Sequence, residues 1–532
     1  MQPTQEPSLS APHLWTDVGG AALRTEATAT TSVNPAQLDD IVAVAHLAGP
    51  EAMLRACQDA KERAPAWAGL PAPLRGQVIA NLGLLVTRNK SALADLIVRE
   101  MGKTRVEALG EVQEIIDTCA YFASEGRRLY GQTVPSEMRD KQLLTFRRPL
   151  GVVAVITAAN FPAAVPSWYI VPALVAGNTV VWKPSELVPM ISKALLTLLH
   201  KAGVPAGVVN LVLADGPSTF TGLTRALEQG LVDQVGFTGS TTVGTMISEL
   251  CGRHRQSPCL ELGGKNPMVV MPDADLDRAV EGALFSGFAT GGQRCTSLGT
   301  LIVHESVHGE VLHRLDAALR AAPIGDPHGE VLYGPLIDER YLSGYLDWLD
   351  TVKSHHALYG SDGVGRIESS NPRKGFVGDP DRGVFAHPVI VDGVAPDDEI
   401  YREETFGPLI GVATFSTFDE AVQLANGHRY GLSAAVYTSD PGTAFRFAEQ
   451  VGCGMLSVNN STVGAEAHLP FGGNGRSGNG SRQSGFWMLD QVTRWQSVNW
   501  DYGSGLRRAQ IDVEVPEAEL DFTLVDTEGQ QA

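Results

Sequence analysis

Across residues 51–103 apolar side chains recur every three or four positions. Val78, Leu82 and Leu85 follow i, i+4, i+7, and Leu93, Ile97 and Met101 stand four apart. Either spacing lines one face of a helix. Residues 104–126 continue as another long helix. At Leu150 the period changes. GVVAVIT (151–157) is a short continuous apolar run rich in β-branched residues, as expected of a strand buried on both faces. The pattern then predicts a helix over 163–175, a strand over 178–183 and a helix through Leu196. A strand over 208–213, a helix over 220–227, a strand over 233–238 and a helix from Thr241 follow. Four strands alternating with four helices predict a parallel, doubly wound sheet, with ligands outside the C-terminal ends of its strands.

A second α/β unit begins near Gly263. Strands are expected at NPMVVM (266–271) and TLIVHE (300–305), and helices over 275–289 and 307–319. IGVATF, AAVYTS and GMLSVN carry the alternation to about Asn459. LLTFRRP (143–149) and RWQSVNW (494–500) read as isolated extended segments. Residues 1–35 are polar and rich in Thr, Ala and Pro, and read as an arm. The last stretch, 501–532, has eight acids and two bases and reads as a solvated tail. Leu520, Phe522 and Leu524 alternate there in a way that allows a docked strand.

Composition narrows the function. The chain has 532 residues, 43% of them apolar, and a formal charge of −19. A sizeable core is available, and so acidic a chain argues against nucleic acid or an anionic membrane as partner. No apolar run reaches 18 residues, and the start has no basic, apolar leader. Six scattered cysteines without a CxxC pair point to a reducing compartment, the cytoplasm.

Chemistry concentrates at a few places. Cys295 in FATGGQRCTS follows a Gly-Gly turn, with Arg294 beside it; it reads as a nucleophilic thiol or a structural one. Glu261 in CLELGGKNP is a carboxylate in an apolar strand, which implies either a task or a buried ion pair. Asn160 follows the first sheet strand, where its amide serves an oxyanion or caps a helix. WKPSE places Lys183 and Glu186 at a strand end, suited to a ribose or an ordinary charged turn. FTGSTTVG opens a helix with Gly239, Ser240 and Gly244, a setting that attracts a pyrophosphate. Glu404 and Phe406 lie in EETFGP. HESVH (304–308) matches a zinc-protease pattern in letters only: His304 and Glu305 end a strand, Ser306 reads as an N-cap, and the two rings do not converge. No metal is expected.

Together NFP, WKPSE, FTGSTTVG, LELGGK, GQRC, EETFGP and PFGG resemble the aldehyde dehydrogenase superfamily, over about residues 40–500. The resemblance implies an aldehyde dehydrogenase-like α/β fold. It has a Rossmann-type cofactor domain (36–138 and 151–262), a catalytic domain (263–470) and a small oligomerisation β-flap (139–150 and 480–500). It implies oxidation of an aldehyde with NAD, or NADP as the alternative, through a cysteine thioester. Cys295, Glu261 and Asn160 would be catalytic. Thr157, Lys183, Glu186, Gly239, Ser240, Gly244, Glu404 and Phe406 would hold the cofactor, and the chain would form a dimer or tetramer. LPAPLRG, REMGK, GEVQE and GAE are similar to antiquitin-like, α-aminoadipic semialdehyde dehydrogenases. This likeness places Glu114, Phe161, Trp168 and Arg294 around the substrate. HLPFGG and EETFGP depart from that branch, which keeps succinic, glutaric and simple aliphatic aldehydes as alternatives. A coenzyme A-acylating enzyme and a non-catalytic protein are the competing classes.

Overall fold

The computed structural model describes residues 11–25 and 27–524. Two compact units emerge: residues up to Arg128 together with Pro149–Thr493, and Leu129–Arg148 together with the residues from Arg494 onward.

In the first unit a seven-stranded sheet runs Cys259–Glu261, Gln234–Thr238, Val152–Ile156, Thr179–Lys183, Val209–Leu211, Asp17–Val18, Ala21–Ala22. The first five strands are parallel. Helices Ala164–Ala176, Pro189–Ala202, Gly216–Glu228 and Thr241–Arg253 connect them. The chain leaves Val152–Ile156 in one direction, through the strands at 179 and 209. It then returns to the other side of that strand at 234 and 259. The order therefore reverses between Val152–Ile156 and Gln234–Thr238, and such a switch point opens a crevice at the strand ends.

The amino-terminal region corrects the expectation of an arm. From His13 onward it is strand, with His13–Trp15, Gln37–Ala48 and Ala27–Asn34 in one sheet and two short strands extending the doubly wound sheet. ATATTSVN looked low in complexity, but its Thr and Val residues are β-branched and favour a pleated surface. Residues 1–10 of the expected arm lie outside the described residues.

Four helices, Pro50–Gly69, Ala72–Arg88, Lys90–Met101 and Arg105–Glu125, form a layer beside this sheet. Two of their glutamates cap helices of the sheet. Glu100 accepts Met190 N–H at 2.7 Å and Ile191 N–H at 2.8 Å. Glu111 accepts Ala163 N–H at 2.8 Å and Ala164 N–H at 3.1 Å. Each carboxylate satisfies orphan donors at a helix N-terminus.

The second α/β sheet of this unit runs Ala357–Tyr359, Val389–Asp392, Leu409–Phe415, Thr300–His304, Pro267–Val270, Ser433–Tyr437, Met455–Val458. Only the edge strand Ala357–Tyr359 is antiparallel.

In the second unit Lys141–Pro149 pairs between Thr133–Val134 and Thr493–Asp501. Helix Trp487–Val492 belongs to the first unit, so the second extended segment begins at 493 rather than 480. Leu520, Phe522 and Leu524 form no strand and stand exposed. Among the described residues no helix is long and apolar enough to cross a membrane.

Candidate active site

Two cavities meet at Cys295. One, of about 240 Å³, is lined by Ala158, Asn160, Gly239, Ser240, Gly263, Tyr341, Glu404 and Phe406 among others. It opens at the switch point, where the loops after Val152–Ile156 and Gln234–Thr238 face each other. The other, of about 60 Å³, is walled by Glu114, Phe161, Trp168, Arg294, Glu261 and the 463–465 loop, with Phe471 against Trp168. Asn160, Thr238 and Cys295 belong to both.

The nucleophile loop is braced from three sides. Helix Leu276–Phe288 ends in a short 3-10 turn, Ala289–Gly292, where Thr290 and Gly291 adopt left-handed backbone at φ 56° and 63°. Asn160 Nδ2 donates to Gln293 O at 3.0 Å. Asn266 Nδ2 donates to the carbonyls of Cys295 at 2.8 Å and Ser297 at 2.7 Å. Arg294 is tied to Glu107 at 2.7 Å and to Thr290 Oγ1 at 3.0 Å. The thiol therefore projects from a rigid loop at the join of the two cavities. A second hydrogen on Asn160 Nδ2 remains for an oxyanion.

Glu261 is 1% exposed, and neither carboxylate oxygen meets the geometry of a hydrogen bond. A buried carboxylate left bare is costly unless it has a task. Burial pushes its pKa far above the usual range, and the charge of Glu404 adds to this. Burial likewise raises the Cys295 thiol, with Glu261 and Glu404 as the next causes. The pair resists holding two negative charges, so ionisation of one keeps the proton on the other. That is the arrangement needed to pass a proton from thiol to carboxylate.

On the larger cavity, Glu404 lies against the 263–264 backbone. Gly264 N–H donates to its Oε1 at 3.1 Å, and a side chain at Gly263 would collide with its carboxylate. Burial raises Glu404 to about 7, opposed by that amide and by Lys265. Phe406 stands at φ 42° with its ring 5.8 Å from Tyr341. Ser240 caps helix Thr241–Arg253, accepting Val243 N–H at 3.4 Å. Lys183 reaches Glu186 at 3.5 Å, and Arg340 lies 3.7 Å from the same carboxylate.

Two residues expected in this set serve packing. Thr157 Oγ1 accepts Trp182 Nε1–H at 3.0 Å, which ties two strands. Gly244 makes room for the Leu262 side chain. Neither lines the cavity. Lys183 and Glu186 lie beyond its lining as well.

The α/β fold agrees with the comparisons to known proteins. Residues 23–498 match the model of the Aldehyde dehydrogenase family. The chain is 36% identical over 488 residues to an α-ketoglutarate semialdehyde dehydrogenase of Haloferax volcanii, covering 91% of this chain and 98% of that one. It is 35% identical over 453 residues to the mouse α-aminoadipic semialdehyde dehydrogenase, covering 84% and 80%. It superposes with a TM-score of 0.86 and 27% identity on betaine aldehyde dehydrogenase of Staphylococcus aureus in complex with NAD+, covering 92% and 96%. The chain belongs to the aldehyde dehydrogenase family.

The helix Arg105–Glu125 carries more of this aldehyde dehydrogenase's site than sequence reasoning assigned to it. Glu107, Glu111 and Glu114 stand at i, i+4 and i+7, on one face. Glu107 holds Arg294. Glu111 forms a fully buried pair with Lys103, 2.6 Å apart, and Lys103 Nζ sits 3.6 Å over the Phe161 ring. Glu114 reaches the smaller cavity with one oxygen unpartnered, and burial raises it to about 7, with Glu111 as the second cause. The spacing of the three glutamates was the available signal. Tyr341, Gln293 and Asn266 were assigned no role in advance, and the 463–465 wall was flagged only through the GAE likeness.

The HESVH segment passes from strand to helix, with two corrections: Glu305 opens the helix instead of ending the strand, and the cap moves with it. His304, not Ser306, caps helix Glu305–Ala321, accepting Ser306 N–H at 3.2 Å. His308 turns to Asp392 at 2.8 Å. Among the described residues His355, His356 and Asp398 bring possible ligand atoms within 4.8 Å. His356 Nδ1 accepts Lys353 N–H at 3.1 Å, which puts the hydrogen on Nε2 facing Asp398, and Lys353 Nζ lies 2.5 Å from that carboxylate. The cluster is already neutralised.

Proposed function

We propose that the enzyme oxidises a semialdehyde that carries a carboxylate at its far end, with α-aminoadipic semialdehyde as the first expectation. The observation that carries this reading is Arg294. Its guanidinium is buried in the wall of the smaller cavity, and Nη1 makes no hydrogen bond among the described residues. A planar guanidinium there suits a carboxylate. Glu114 in the same wall suits an α-ammonium when ionised. Its raised pKa supports a second reading, in which a neutral Glu114 donates to a 2-oxo or second carboxylate group.

Cys295 Sγ attacks the aldehyde carbon, and its proton passes to Glu261. Asn160 Nδ2–H and Cys295 N–H receive the developing oxyanion, a contribution of about 3–4 kcal/mol per donor in comparable sites. When bound, the oxidised nicotinamide supplies the hydride acceptor. Gly239, Ser240, Glu404 and Phe406 line a cavity of suitable size and polarity for it. Glu261 gives the thiol's proton up to solvent and, ionised again, takes a proton from the water that hydrolyses the Cys295 thioester; it returns that proton to the released sulfur as the acid departs. A carboxylate poised beside the thiol favours hydrolysis over transfer to coenzyme A. NAD is the expected cofactor, with NADP as the alternative. The strands Lys141–Pro149 and Thr493–Asp501, with Trp495 and Trp500 exposed, are the proposed surface of a homodimer or homotetramer.

The test is NAD(P)H absorbance across α-aminoadipic, succinic and glutaric semialdehydes and butanal, each with NAD and NADP. The carboxylated substrates should lead butanal in kcat/KM by about tenfold or more, the size of one good contact. Equal values for butanal and the carboxylated set would overturn the reading.

A further inference from the structure

Arg294 has three side-chain nitrogens, and two are spoken for. Nε donates to Thr290 Oγ1 at 3.0 Å, and Nη2 donates to Glu107 Oε1 at 2.7 Å. The same Glu107 oxygen accepts the Thr290 hydroxyl at 2.6 Å. Its other oxygen accepts Thr104 N–H at 3.1 Å and Thr104 Oγ1–H at 2.8 Å, which closes the capping box at the start of helix Arg105–Glu125. Every lone pair on Glu107 that faces a donor is thus committed within one side chain. Arg294 and Glu107 are each 9% exposed. Burial works to raise Glu107, but Arg294, Thr290 and Lys103 hold it below the usual carboxylate range, so the pair is ionic.

Two further features show that this anchor is specific to one geometry. Thr290 is a β-branched residue held at φ 56°, where such residues are strained. Arg294 also faces the rings of Phe161 and Phe285, at 5.6 and 5.3 Å, which closes the sides of the guanidinium. Nη1 is left without a hydrogen bond among the described residues, in a side chain that lines the smaller cavity.

We propose that Glu107 is a positioning residue for substrate selectivity: it fixes Arg294 so that Nη1 is aimed at the far-end carboxylate of the substrate, without touching the substrate. This rests on the reading of Arg294 as the carboxylate anchor. An arginine has many rotamers to lose, and one fixed beforehand spends less of the binding energy on ordering itself. Because Glu107 already balances the charge of Arg294, selectivity comes from where Nη1 points rather than from net positive charge. The reach of the Glu107 side chain therefore matters more than its charge.

The experiment compares kcat/KM for succinic semialdehyde with that for butanal, four carbons each, in the full enzyme and in Glu107→Asp, Glu107→Gln, Arg294→Met and Arg294→Met/Glu107→Asp. Aspartate keeps the charge and shortens the reach; glutamine keeps the reach and an acceptor oxygen. Glu107→Asp should lower the succinic semialdehyde-to-butanal ratio about tenfold, through KM, beyond any loss of kcat that the two aldehydes share. Glu107→Gln should keep the ratio within threefold. The double variant should show no loss of ratio beyond that of Arg294→Met. An unchanged ratio in Glu107→Asp, equal losses for both aldehydes, a greater loss in glutamine than in aspartate, or additive losses would each overturn the proposal. If Arg294→Met leaves the ratio unchanged, the carboxylate-anchor reading falls and this one with it. If Arg294→Met lowers the ratio and Glu107→Asp does not, only the role of Glu107 falls.

Discussion

The cavity that holds Glu404 and the cavity that holds Glu114 share Cys295 but are built differently. The first is made of strand ends and turns: the loops after two neighbouring sheet strands, the 263–264 backbone and the turn carrying Phe406. Its one charged side chain is Glu404, beside neutral polar ones such as Asn160, Thr238, Ser240 and Tyr341. The second is made mostly of side chains from six separate stretches, at 114, 160–168, 238, 261, 294–296 and 463–471, and its defining features are a buried cation and the buried acids Glu114 and Glu261. Backbone at a switch point can serve any dinucleotide, so the first cavity speaks to reaction class. Buried charges are expensive and selective, so the second speaks to substrate.

The strongest challenge to this division acts at the shared wall. Cys295→Ser should lower kcat by about 10^4- to 10^6-fold, as for loss of other covalent nucleophiles. NAD binding, followed by fluorescence titration, should stay within twofold. Retained turnover would remove Cys295 as the nucleophile, and lost NAD binding would mean the two cavities are not separable.

Glu261→Gln comes next. Loss of a general base costs about 10^2- to 10^4-fold. The loss should fall on deacylation, so intact-protein mass spectrometry should find acyl-enzyme after one turnover. Full activity without trapped acyl-enzyme would count against Glu261 as the base.

The smallest effect sharpens the second cavity. Burial raises Glu114 from 4.5 to about 7. Below that pH it is neutral and donates a hydrogen bond; above it the ionised form attracts an ammonium and repels a carboxylate. Relative to butanal, kcat/KM for α-aminoadipic semialdehyde should therefore rise through pH 7, and that for succinic semialdehyde should fall. Changes of about tenfold correspond to about 1.4 kcal/mol. Flat ratios for both would put Glu114 outside the substrate's reach.

The residues legible in advance are those whose meaning is local. The switch from helical spacing to GVVAVIT at Leu150 marked the first sheet strand, because burial on both faces leaves no alternation. The strand-end segments with Asn160 and Gly239 were readable because a doubly wound sheet fixes where its crevice opens, whereas Glu404, in a turn before a strand of the other sheet, was flagged only by the EETFGP motif. Cys295 and Glu261 stood out as chemistry in apolar surroundings.

Tertiary structure decided the rest. The strands at 13–34 were taken for an arm because their partner, Gln37–Ala48, and the edge of the sheet that receives Asp17–Val18 are set by packing, not by composition. The link from Glu107 to Arg294 spans 187 residues, and the wall at 463–465 also reaches the thiol from a distant part of the chain. Periodicity reports the conformation of a segment and the face it buries. Which buried acid meets which buried cation depends on how separate elements stack, and in this protein that stacking forms the smaller cavity.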